Sequence, residues 1–199
     1  MDGGGVFPDS GARIGPNAIL QLVRVIDHFE GRAARDRMMA VAGVAMPPDD
    51  AGMWPEAECR AVHRAVHVVM PERADGLLRL AGTATADYIL EHRIPRAAQV
   101  VIRLLPGVIG AQILSAAIAR NAWTFVGSVR FRVAGRKPLA FEIVGNPLSP
   151  GEGRRCDWHA AVFERLFRRL VWRAAMVSEV ECACDGAPVC RFVIRRQGN

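Results

Sequence analysis

Four of the five cysteines in this sequence fall between residues 156 and 190, as Cys156, Cys182, Cys184 and Cys190. Thiolates are soft donors that hold zinc at about 2.3 Å, and a closed tetrahedral site needs four such ligands brought together from separate elements. The run Glu181-Cys182-Ala183-Cys184, followed by Cys190, is therefore the strongest chemical signal in the chain. Cys184 and Cys190 bracket a five-residue turn and are expected to face each other across a hairpin, with Cys156 supplied from the start of a helix. The fourth ligand is open. Regular strand alternation puts Cys182 on the face of Cys184 and turns Glu181 away, unless the strand bulges or ends there. His159, one helical turn after Cys156, is a further alternative. The competing reading is that these cysteines are small buried hydrophobes.

The elements that must position them are those of an α+β chain. Strand formers from Trp123 to Val133, a turn at Gly135 to Pro138, and Leu139 to Val144 predict a first strand pair. After a loop at Asn146 to Gly153, Phe163, Leu166, Phe167, Leu170, Val171 and Ala174 mark one face of a long helix. Val177 to Cys184 and Cys190 to Arg195 close the chain as a second pair. Upstream the period is helical. Apolar stripes predict helices ending near Gly31, over Ala33 to Val44, from Pro55 to Val69, and over Ala74 to Glu91. Ala97 to Ala119 is the most apolar stretch, but Arg103, Gln112, Pro106, Gly107 and Gly110 interrupt it, so a buried helix pair is expected rather than a membrane span. The layout is a flexible start (1–15), a helical part (16–121) and a strand-strand-helix-strand-strand part (122–197). A small antiparallel sheet crossed by a long helix would make these one ligand-binding domain.

The closing residues Val180-Glu181-Cys182-Ala183-Cys184-Asp185-Gly186 and Cys190-Arg191-Phe192 resemble the 4-vinyl reductase domain family, whose last hairpin carries a glutamate, a cysteine, a turn glycine and a second cysteine before an aromatic. The whole chain, roughly Pro16 to Arg196, is similar to the bacteriochlorophyll 4-vinyl reductase family. That resemblance implies a small-molecule-binding α+β fold related to ligand sensors that hold structural zinc. By motif, the ligands would be Cys156, Glu181, Cys184 and Cys190, with Cys182 as the alternative fourth. It implies a place in bacteriochlorophyll synthesis, with a magnesium-tetrapyrrole as ligand and pathway enzymes such as magnesium chelatase or the following methyltransferase as partners. A cytoplasmic location, peripheral at the photosynthetic membrane, goes with it.

The family name implies vinyl reduction, yet no G-x-G-x-x-G follows a strand and the cysteines lack iron–sulfur spacing. The expectation therefore shifts from catalyst to carrier, with the divinyl reductase as the alternative and a small-molecule sensor or assembly module as a second one. A macrocycle needs an apolar slot and arginines for its propionates. Trp54, Trp123 and Phe125 are candidates to line it, and His63 and His67 lie one turn apart beside Arg60 and Arg64. Cys59, Val62, Val66 and Val69 form the buried stripe of that helix, which leaves both histidines on its flanking polar face. The net charge of +6 from 26 basic and 20 acidic residues is almost all arginine, with Lys137 the one lysine. Charges are interspersed, so no nucleic-acid partner is expected. Edge strands of a four-stranded sheet need covering, which makes a homodimer the expected assembly.

Overall fold

The computed structural model describes residues 11–151 and 153–197. Its helical half comprises α1 (Asn17–Phe29), α2 (Arg32–Ala42), α3 (Glu56–Val69), α4 (Ala74–His92), α5 (Arg96–Leu104), α6 (Gly107–Arg120) and a single turn, α7 (Trp123–Val126). Two short strands, β1 (Arg13–Ile14) and β2 (Trp54–Pro55), pair antiparallel and close the entry to α3. Residues 1–10 of the expected flexible start lie outside the described residues. Residues 13 and 14 correct the remainder of that expectation, because Ile14 is wholly buried and its strand is paired.

The second half holds β3 (Arg130–Arg136), β4 (Leu139–Val144), α8 (Asp157–Leu170), β5 (Ala175–Glu181) and β6 (Cys190–Arg196). The sheet is antiparallel throughout, in the order β3-β4-β6-β5, and α8 crosses it. Alternation along β5 buries Ala175 and Val177 and exposes Met176 and Ser178, which turns one face of the sheet to α8. Between sheet and helix Phe163 meets Phe125, Phe131, Phe141 and Phe192 at ring-centroid distances of 5.1 to 6.1 Å, mostly edge to face.

The other side of α8 packs on α4. Gly82 permits that contact, since a Cβ there would strike the backbone of Trp158 and the side chain of Ala161. One buried core runs from Ile14 through the helices to Ile194. Trp123 to Val126, expected as strand, is helical instead. Gly127 at φ +60° then turns the chain over the carboxylate of Glu56, which accepts hydrogen bonds from the amide and hydroxyl of Ser128. Only glycine fits, because any Cβ would collide with that carboxylate.

Candidate functional site

Three sulfurs meet where the start of α8 touches the β5–β6 hairpin. The Sγ atoms of Cys156, Cys182 and Cys190 are 3.7 to 3.8 Å apart, and all three residues are at most 3% exposed. A tetrahedral zinc with thiolates at 2.3 Å needs ligand sulfurs about 3.8 Å apart. Packed thiols touch at much the same spacing, so the surroundings decide between the two.

The fourth corner is Glu179. Its carboxylate lies within 4.8 Å of the three sulfurs. Oε2 accepts the Cys156 amide at 2.7 Å, while the buried Oε1 finds no donor in bonding geometry. A carboxylate oxygen left so in a mostly apolar recess is costly, and burial pushes the Glu179 acid above the ordinary carboxylate range. The sulfurs are placed for negative charge: Asn146 Nδ2 donates to Cys156 at 3.2 Å and the Ala183 amide to Cys190 at 3.4 Å. The Cys156 thiol bonds Cys190, which lowers the second thiol and raises the first, so Cys190 ionises first. A cavity of about 230 Å³, lined by Arg79, Arg155, Cys156, Asp157, Val177 and Glu179, reaches the cluster from one side. These donors fit a divalent zinc.

The set differs from the expected one at two positions. A bulge between Glu179 and Glu181 shifts β5 by one residue, so the inward sequence runs Ala175, Val177, Glu179 and then Cys182. Glu181 is thereby carried to the opposite face, where it ends a ladder of register partners: Arg132 with Glu142, Glu142 with Arg191 at 3.0 Å, and Arg191 with Glu181 at 3.2 Å. Cys184 sits in the 3-10 turn Ala183–Asp185, and its thiol bonds the Arg154 carbonyl. It also lies against Cys182, and the two are joined as a disulfide. That bond and metal ligation are exclusive uses of Cys182. His159 is turned away from the sulfurs, with Nδ1 on Asn146 and Nε2 on the Phe125 carbonyl, and burial lowers its pKa to about 3.

The residues expected to line a macrocycle slot do not share one. Trp54 is half-buried and bonds Glu58, Trp123 is 57% exposed, and Phe125 belongs to the aromatic core. His63 and His67 are buried rather than on a polar flank. His63 Nε2 bonds the Ala18 carbonyl at 2.9 Å and its ring meets Trp158, while His67 Nδ1 lies 2.8 Å from Arg154. The opposite face of α3 lines a groove against α2. The groove has a volume of about 350 Å³, with Val41, Ala57, Ala61 and Val68 as its apolar walls and Arg60 and Arg64 beside them.

Comparison with known proteins now places the chain. A family model for the 4-vinyl reductase domain matches residues 141–196, the greater part of the sheet together with α8. The chain is 54% identical to the bacteriochlorophyll synthase 23 kDa chain of Rhodobacter capsulatus, over 100% of this chain and 95% of that one. It belongs to that protein's family. The family member of Cereibacter sphaeroides is 51% identical over 94% of this chain and 92% of its own. Among solved structures, the unliganded Fe(II) H-NOX protein from K. algicida superposes with a TM-score of 0.65 at 8% identity, covering 94% of this chain and 98% of that one. The Fe(II)NO form of an H-NOX protein from S. oneidensis gives 0.55 at 12% identity, over 93% and 100%. At such identities the likeness shows the fold. The family therefore has an H-NOX-like α+β architecture in this member. Among the described residues, no helix is long and apolar enough to cross a membrane.

Proposed function

We propose that this protein is a tetrapyrrole-binding accessory subunit of bacteriochlorophyll synthesis that holds or delivers a magnesium-porphyrin or chlorophyllide intermediate. The observation that carries the reading is a coincidence over one chain. Its near full-length relatives are named as bacteriochlorophyll synthase chains, and its fold is shared with H-NOX proteins whose structures concern heme distortion and porphyrin-tuned redox potential. The α2–α3 groove suits such a ligand, with alanines and valines against the macrocycle edge and the Arg64 guanidinium toward a propionate. Partners on this reading are pathway enzymes such as magnesium chelatase or the following methyltransferase, reached from the cytoplasmic side of the photosynthetic membrane.

A zinc ion held by Cys156, Cys182, Cys190 and Glu179 would be structural, because all four positions are filled by protein and none is left for substrate. It would fasten the start of α8 to the closing hairpin.

Titration of the purified protein with magnesium-protoporphyrin, followed by tryptophan fluorescence, tests the reading. Saturable quenching that weakens in Arg64→Gln is expected, and absence of saturable quenching overturns it. Turnover of a divinyl substrate with NADPH or a reduced flavin by the pure protein would replace the carrier with the reductase.

A further inference from the structure

Helix α5 is built inside out. Ala97, Val100, Val101 and Leu104 recur at the spacing that marks one helical face, a face that ordinarily turns to the core. Here it points to solvent: Val100 is 51%, Val101 56% and Leu104 81% exposed. The inward positions are Ile102 and a buried glutamine, Gln99, whose side chain donates to the carbonyls of Leu90 and Ile94 and accepts from Arg103 at 3.0 Å. Those bonds pin α5 to the end of α4 in this orientation. Past Leu105 and Pro106 the exposed apolar surface continues along α6 with Val108, Ile109 and Ile113. The apolar stretch expected as a buried helix pair is thus a pair whose outer side is uncovered. Soluble monomers rarely leave so many large aliphatic side chains together in water.

Charge identifies what fits there. From His92 to Ala140 the sequence contains no aspartate or glutamate, while Arg93, Arg96, Arg103 and Arg120 stand exposed on or beside the two helices. Aliphatic side chains flanked by guanidinium groups, with no acid between them, match an anionic bilayer surface. The apolar face enters the acyl boundary by about 5 to 10 Å and the arginines meet lipid phosphates.

We propose that the outer face of the α5–α6 hairpin is a docking surface for anionic lipid membranes. The assignment does not depend on pigment binding, and it is tested without pigment.

Full-length protein is sedimented with vesicles of phosphatidylcholine alone and of phosphatidylcholine mixed with phosphatidylglycerol. Binding to the mixed vesicles is expected, weakened by raised salt. Leu104→Glu should lower the partition about tenfold or more, and Arg96→Gln several-fold. Both residues are exposed, so the thermal midpoint should stay at the wild-type value, which separates lost docking from lost folding. Failure to bind the mixed vesicles, or equal binding by Leu104→Glu, overturns the proposal. A dimer in gel filtration that Leu104→Glu converts to monomer, without vesicle binding, would assign the face to a second copy of the chain instead.

Discussion

Glu179 and Glu181 stand two apart in sequence and on opposite sides of the sheet. If zinc is held as the geometry indicates, Glu179→Gln should lower zinc affinity more than about 100-fold, beyond what a merely supporting residue costs, and Glu181→Gln should leave it within a few-fold. Equal losses in a competition assay with a chromogenic chelator would show that the bulge does not decide the ligand. Cys190→Ser should release the metal and cost about 3 kcal/mol or more, a midpoint drop of roughly 6 to 12 °C for a chain this size. Because Cys182 cannot pair with Cys184 and ligate at once, a thiol oxidant such as diamide should expel zinc as that disulfide closes, and Cys184→Ala should slow the release. The cysteines were legible in the sequence because soft donors crowded into one segment have few other uses. Glu179 was hidden by a one-residue register shift, although the inward series Ala175, Val177, Glu179 carried its signal. Asn146 left none, since its bonds to Cys156 and His159 arise only when a loop and a helix meet.

At the scale of elements, helices and strands announced themselves where periodicity was strong. The long helix over the sheet, the closing hairpin and the four N-terminal helices follow the apolar stripes closely. Periodicity misled in two places. Around Trp123 to Val126 β-formers adopt a helical turn, because Gly127 must pass over Glu56. On α5 an amphipathic stripe faces water, and on α3 His63 and His67 replace apolar residues in the core. In both helices the sequence shows that two faces differ, while tertiary contacts choose which is inside. The α4–α8 seam is the packing most exposed to a small change. Gly82→Ala should force the helices apart and cost roughly 1 to 3 kcal/mol, readable as a lowered urea midpoint with unchanged slope. Phe163→Ala, deleting the ring at the centre of the aromatic cluster, should cost roughly 3 to 5 kcal/mol.

For the whole molecule, two buried neutral histidines set the response to acid. Burial lowers the pKa of His63 to about 4 and that of His159 to about 3, against an ordinary 6.5 in the unfolded chain. Between those values the unfolded chain binds protons that the folded one refuses, so stability falls as pH drops below about 6.5. Each histidine forfeits roughly 2 kcal/mol between pH 7 and 5, partly offset by Glu179 and Asp157, whose raised values favour the folded state in acid. Chemical denaturation at the two pH values should therefore show a net loss of about 3 kcal/mol, and a flat profile would mean that the histidines are not buried in solution. Helix α8 links this behaviour to the metal cluster. Cys156 stands at its head, Trp158 and Ala161 in its first turns rest on Gly82, and Asp157 is held at 3.1 Å by Arg79 of α4. It works as a single shaft: whatever loosens its head at the sulfurs is passed within one turn to the helical half. The two halves then have no independent melting temperatures, and calorimetry should record one transition whose van't Hoff and calorimetric enthalpies agree, moving as a whole when a chelator strips the metal.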